Sequence, residues 1–200
     1  MVYDGILLAI LVGFLRKGSL KGFANLNIKY GWVFPLLLLT QWMIFLLQNK
    51  YEMLGMISNY VFIAIYIVGL TLLWVNRKLG IGVWLILIGV FLNFVVMGAN
   101  GGRMPVSLEA AGYLDPAYGQ ALQEGYYGKH TPLTDDTYFG FLGDVIPLPE
   151  FYPRQQVISF GDIIMNIGIF LFIQTIMVNR QSRIFNRLPN LRKGGEEHVS

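Results

Sequence analysis

The chain alternates between long runs in which almost every position is apolar and short polar breaks. The runs cover residues 2–15, 31–48, 56–75, 79–99 and 157–178. None keeps the polar stripe that a water-soluble helix turns towards solvent; each is apolar all round. At 1.5 Å per residue, about 20 residues cross a hydrocarbon core of about 30 Å. The pattern therefore predicts an all-α integral membrane protein, a bundle of about five transmembrane helices over residues 2–17, 31–48, 56–75, 79–99 and 157–178. The first run is short, and Arg16 and Lys17 extend it by snorkelling to the interface. A half-inserted first helix is the alternative. Asn49-Lys50-Tyr51-Glu52 reads as a polar turn, and Asn76-Arg77-Lys78 as a tight hairpin. Residues 1–178 form one membrane domain, and residues 179–200 a flexible basic tail.

The first run does not read as a signal peptide. Asp4 stands at its start, the positive charges follow it, and no small-residue cleavage pattern comes after. The only long non-membrane segment, 100–156, carries acidic residues such as Asp135, Asp136 and Asp144, together with turn residues and aromatics. Ser107 predicts the cap of a short helix through Ala111. Asp115-Pro116 predicts the N-cap and first residue of another, ending at Gly125. The stretch from Tyr138 to Gly143 is too apolar for a solvated loop and is expected on the membrane surface or folded back over the bundle. Segment 100–156 is thus expected to be ordered.

Composition agrees with the pattern. Hydrophobic residues make up 54% of the 200 and charged residues 14%, against about 25% charged in soluble domains. The mean hydropathy is +0.52. The net charge of +3 suggests no nucleic-acid partner, because the basic residues flank the apolar runs, where they set topology. Arg16, Lys17, Lys21, Lys29, Arg77, Lys78, Arg180, Arg183, Arg187, Arg192 and Lys193 fall on one side. Lys50, Arg103, Lys129 and Arg154 fall on the other. The richer side is cytoplasmic, which puts the N-terminus outside and the C-terminus inside. Trp32, Trp74 and Trp84 then lie near the inner boundary. The chain has no Cys, so disulfides, thiolate metal sites and cysteine nucleophiles are excluded.

Candidate chemistry gathers at the outer side. Asn100-Gly101-Gly102-Arg103-Met104-Pro105-Val106 follows the fourth helix directly. The paired glycines can expose consecutive N–H groups as an anion-binding nest, or they can form a helix C-cap followed by a Pro stop, with Arg103 snorkelling. Asp144 and Asp162 are the nearby carboxylates. Asp162 can cap the fifth helix or pair with Arg103, which never loses its charge and must find an anion, a headgroup or water. Asn93, Asn100, Asp162 and Asn166 can line one polar pocket or serve as interhelical hydrogen-bond glue. His130 and His198 have no companion ligands, so no metal site is expected. No nucleophile elbow or phosphate loop is present, and nothing implies a cofactor.

The motif 100–106, then Phe141-Leu142-Gly143-Asp144-Val145-Ile146-Pro147-Leu148-Pro149, then Ile158-Ser159-Phe160-Gly161-Asp162-Ile163-Ile164, resembles a family of small multi-pass bacterial membrane proteins classed as a domain of unknown function. The resemblance implies the bacterial cytoplasmic membrane and carries over no activity. The reading favoured here is a non-enzymatic protein that recognises a partner or ligand through segment 100–156. The alternatives are a membrane enzyme acting at the outer leaflet through Arg103 and Asp144/Asp162, and a small transporter or channel subunit. The lipid bilayer is the expected partner, with a second membrane protein or another copy of the chain as further candidates.

Overall fold

The computed structural model describes residues 2–48, 50–114, 116–123, 129–149, 151–152 and 156–185. Seven α-helices are present among them: α1 (Val2–Leu15), α2 (Val33–Leu47), α3 (Glu52–Val75), α4 (Ile81–Ala99), α5 (Leu108–Leu114), α6 (Pro116–Gln123) and α7 (Phe160–Phe185). The five apolar runs are thus all helical. Three of them are long and apolar enough to cross a membrane: Met53–Val75, Ile81–Ala99 and Phe160–Val178. The expectation of five full spans is met only in part, because α1 has 14 residues and α2 has 15. Such helices reach little more than about 22 Å. Pro35 sits in the first turn of α2, where a missing N–H costs nothing. The turn built from residues 16–32 takes the positions that would have lengthened both helices.

The long helices stand in a row, in the spatial order α2–α3–α4–α7–α1. Small residues draw α4 and α7 together. A Cβ added to Gly82 would lie 2.7 Å from the Gly168 carbonyl, and one on Gly161 would lie 2.7 Å from the Gly89 carbonyl. These pairings run antiparallel and let two backbones touch, so the helices gain close dispersion contacts along their whole shared length. α1 lies parallel to α7: Gly5 meets Asn166 and Gly13 meets Met177. α3 packs on α4 through Phe62, Val96 and Met97.

The two ends of the row differ. At one end Ser19 N–H donates to the Met177 carbonyl at 3.0 Å. Arg16 donates to Gln174 Oε1 at 2.9 Å, and Gln174 donates to the Ala9 carbonyl. The Asn76 side chain ties residue 29 to the α3 terminus through bonds of 2.8 and 3.0 Å with the Lys29 backbone. Trp74 and Trp84 meet edge to face there, and the Arg77 guanidinium lies 4.3 Å from the Trp74 ring centre. This is the basic end.

The other end carries the segment that follows α4. Strand β1 (Met104–Val106) pairs in parallel with β2 (His130–Pro132), in the register Met104↔His130. Strand β3 (Ile146–Pro147) pairs antiparallel with β4 (Val157–Ile158). Helices α5 and α6 close over these strands, and Val106, Ala110, Ala111, Leu122 and Val157 form a small core of their own. Ser107 caps α5 as its sequence predicts, accepting from Ala110 N–H at 3.2 Å, and the helix runs on to Leu114 rather than stopping at Ala111. Asp115 and Gly125, the expected bounds of α6, lie outside the described residues, as do residues 186–200 of the tail. The apolar stretch at 138–143 folds back over the helices. Asn100 grips the Tyr138 backbone from both sides, at 2.8 and 3.0 Å, and Leu142 packs against the cluster of Phe62, Val96 and Met97.

Candidate functional site

The polar site at the loop end is built from the start of α7. Ser159 precedes the helix, and its hydroxyl accepts from Asp162 N–H at 3.0 Å. The Asp162 carboxylate returns the contact, accepting from Ser159 N–H at 3.3 Å. This reciprocal pair satisfies two of the donors that a helix start leaves open. Asn93, buried on α4, completes the ring. It donates to Asp162 Oδ1 at 3.0 Å and accepts from the Ser159 hydroxyl at 2.9 Å. Gly161 makes room: a Cβ there would overlap Asn93 Oδ1. Both Asp162 oxygens are therefore engaged, and the ring ties α4 to α7. Asn166 stands one turn on and donates to the Asp162 carbonyl at 2.8 Å.

Asp144 reaches the same region from above. Its backbone is laced onto β1: Asp144 N–H donates to the Pro105 carbonyl at 2.8 Å and its carbonyl accepts from Ser107 N–H at 2.9 Å. Gly143 permits this approach, since a Cβ there would lie 2.6 Å from the Pro105 carbonyl. The side chain is buried. Oδ2 lies 3.6 Å from His130 Nε2, while Oδ1 is buried with no hydrogen-bond partner among the described residues. Burial, and after it the charge of Asp162, raises this carboxyl from 3.8 to about 8, against the pull of Lys129. Lys129, half-buried beside His130, feels the Tyr66 phenol and both carboxylates. Burial opposes its charge, yet these neighbours outweigh it and hold the ammonium above its ordinary range.

The structure thus gathers Asn93, Asp162, Asn166 and Asp144 at one site and leaves Arg103 out of it. No ion pair between Arg103 and either carboxylate is present among the described residues. Arg103 lies over α3, where it donates to Ser58 Oγ at 3.2 Å, and Asn93 and Ser159 already occupy Asp162. The two glycines explain the direction taken. Gly101 and Gly102 adopt φ of +67° and +83°, and Gly102 N–H closes on the Met97 carbonyl at 2.8 Å. That is the helix C-cap arrangement rather than an anion nest. Gly102 then presses on the Asn59 backbone of α3, and Asn59 donates to the Gly101 carbonyl at 3.0 Å. The turn carries Arg103 towards α3, away from α7. Asn100 holds the Tyr138 backbone.

Lys129, His130, Tyr66 and Ser159 are absent from the site that the sequence suggests. A Lys-His pair in a turn-rich segment carries no signal by itself. Only the parallel β1–β2 pairing, which joins residues 26 apart (Met104↔His130), brings it over the helices. Tyr66 lies deep in an apolar run, but a helical side chain leans towards its helix N-terminus, here the loop end.

A row of apolar helices, capped at one end by a compact segment that encloses charged groups, defines a helical protein suited to a membrane. The particular family follows from comparison: the chain belongs to the family of unknown function DUF5317, whose family model matches residues 25–174. A relative from Thermotoga maritima, described as an uncharacterized protein, is 33% identical over 172 residues, covering 86% of this chain and 89% of that protein. No solved structure matches the chain.

Proposed function

We propose that the chain is a five-pass protein of the bacterial cytoplasmic membrane, with its N-terminus outside and its C-terminus inside, and that segment 100–156 recognises a small polar ligand at Asp144. One observation carries the recognition reading. Asp144 Oδ1 is buried beside Lys129 and His130 with no hydrogen-bond partner among the described residues, whereas the neighbouring Asp162 is fully engaged. A buried polar atom left unmatched costs about 1–3 kcal/mol, and a ligand donor placed there removes that cost. Lys129 supplies a cation for an acidic group on the same ligand.

Five passes are supported by the way the segments meet. Residues 16–29, 76–79 and 174–178 lie together at the basic end, while Gly5, Asn100 and Asp162 lie at the loop end. The short α1 and α2 are accommodated by local thinning of the bilayer and by snorkelling of Arg16, Lys17 and Lys29. The excess of Lys and Arg at the basic end supports placing it in the cytoplasm. Transport is less well supported. Between Asn166 and Gln174, α7 presents only apolar residues and Gly168, and an intramembrane pathway would be marked by polar groups. Arg103, the centre of the enzymatic alternative, stands apart from both carboxylates.

Two measurements test this reading. A cysteine placed at Asp136, which is exposed, is expected to react with an impermeant maleimide in intact cells, and one at Val199 is not; the reverse pattern overturns the orientation. A water-soluble carbodiimide with glycine ethyl ester, applied from outside, is expected to modify Asp144 and to spare Asp162. An unreactive Asp144 means that no solute reaches it, and the segment is then a scaffold.

A further inference from the structure

A second feature lies against α3 and α4, where the chain after β2 turns back on itself. Residues 137–143 carry no charged side chain. Thr137 N–H closes a tight turn on the Thr134 carbonyl at 3.0 Å, and Asn100 then grips the Tyr138 backbone. Phe139 adopts φ of +54°, in the left-handed region, which bulky side chains rarely enter. A turn of 3-10 helix follows at Gly140–Leu142, with Leu142 N–H on the Phe139 carbonyl at 2.8 Å. Leu142 packs inwards on Phe62, Val96 and Met97. The three aromatic residues of the same hook do not: Tyr138 is 68% exposed, Phe141 66% and Phe139 50%. Their level is set by what Leu142 touches. Val96 and Met97 belong to the apolar span Ile81–Ala99, and Phe62 to the span Met53–Val75. At about 1.5 Å per residue, Phe62 stands about 13 Å inside the loop end of its span. The exposed rings therefore lie beside the spans, not above them.

We propose that this hook is a lipid anchor: Tyr138, Phe139 and Phe141 enter the leaflet at the loop end of the helices, and the loop is fastened to the bilayer there. Three adjacent exposed rings form the kind of patch that marks a membrane or protein contact. Level and charge select the membrane. The patch continues the apolar surface of the spans, where the surrounding medium is acyl chain, and the nearest charges before it, Asp135 and Asp136, are exposed and precede the turn. The Tyr138 phenol suits the headgroup level and the two phenyl rings the carbons below it. The strained Phe139 lets the chain reverse within a few residues, so that Leu142 can meet the helices while its neighbours meet lipid. Gly143 and Asp144 follow at once, so the anchor also steadies the segment that carries Asp144. The proposal rests on the membrane reading above and not on ligand recognition at Asp144.

The test uses the full chain in vesicles of phosphatidylethanolamine and phosphatidylglycerol. The chain has no Cys, so one introduced thiol carries a single nitroxide label. Labels are placed by Phe139→Cys and Phe141→Cys in the hook, by Asp136→Cys as the aqueous reference and by Ile88→Cys in the middle of α4 as the membrane reference. Collisions are read with oxygen, which concentrates among acyl chains, and with a water-soluble nickel chelate. The hook labels are expected to show an oxygen-to-nickel ratio several-fold above that of the Asp136 label and close to that of the Ile88 label. Hook labels as open to nickel as the Asp136 label overturn the proposal, because the rings then face water. Hook labels shielded from both reagents also overturn it, because protein then covers the patch. The Ile88 label separates the two readings: nickel access there condemns the membrane reading itself, whereas a lipid-facing Ile88 label with nickel access at the hook condemns the anchor alone. Phe141→Trp keeps a ring at the position and gives a second reading without a label. Its added emission, taken as the difference from wild type, is expected to be quenched by lipids brominated in the upper acyl chain; quenching by aqueous acrylamide instead overturns the proposal.

Discussion

Asp162 and Asp144 stand at the same end of the helical row, and their surroundings are opposite. Asp162 sits in the first turn of α7, where the helix dipole favours negative charge, and it receives Asn93 and Ser159 as donors. Asp144 sits on a strand-like segment with its backbone fully bonded and its side chain buried beside His130 with one oxygen unmatched. The first carboxylate is placed by its own helix and finished by its neighbours. The second is placed by the loop and left unfinished. Their difference separates a structural clip from a group with free chemistry, although both lie in similar Gly-Asp-hydrophobic sequences.

The clip is the easier of the two to break. Asp162→Ala removes the acceptor for Asn93 and for Ser159 N–H and uncaps α7. It is expected to cost about 3 kcal/mol, read as a lowered Tm in detergent. Gly161→Ala is expected to cost about 2 kcal/mol by driving a methyl group into Asn93 and the α4 backbone. Asp144→Asn sharpens the contrast through pH. The Asp144 carboxyl lies near 8 in the folded chain against 3.8 ordinarily. The native state therefore holds an extra proton between those values, stability falls as pH rises through this window, and above it the loss is complete. Asp144→Asn is expected to match wild type near the bottom of the window and to exceed it above the top, giving a flatter Tm profile. A variant less stable than wild type at every pH would place Asp144 with Asp162 as a clip. The smallest effect is the coupling of Arg103→Ala with Asp162→Ala. The two changes are expected to add within about 0.5 kcal/mol, since no ion pair or hydrogen bond joins the two side chains among the described residues; larger coupling would put Arg103 back beside the carboxylate.

Much of this architecture was legible from the chain, for physical reasons. Runs apolar all round leave a helix no solvent face, so the five helices follow from the pattern, and the Ser107 cap follows from hydroxyl chemistry. The short α1 was readable from the run 2–15, but the start of α2 was not, because the apolar run begins at residue 31 while the backbone is still turning through residues 29–32. Asp162 as an α7 cap is a local fact and was readable; its link to Asn93 needs the glycine pairing of α4 with α7. The Arg103–Asp162 pair failed as an expectation because sequence places both residues at one end without giving the direction in which Gly101 and Gly102 turn the chain. Lys129 and His130 depend on a parallel strand pair formed across two intervening helices, which no local pattern announces.

The central claim is that Asp144 is a buried, protonatable carboxyl left open for a ligand. The most direct measurement is the titration of its side-chain carboxyl in the membrane-embedded protein, followed by ¹³C NMR with aspartate labelling and assigned by loss of the signal in Asp144→Asn. The account predicts a midpoint near 8, shifted when a ligand occupies the site. A midpoint near the ordinary 3.8 would mean that Asp144 is either solvated or already paired, and would contradict it.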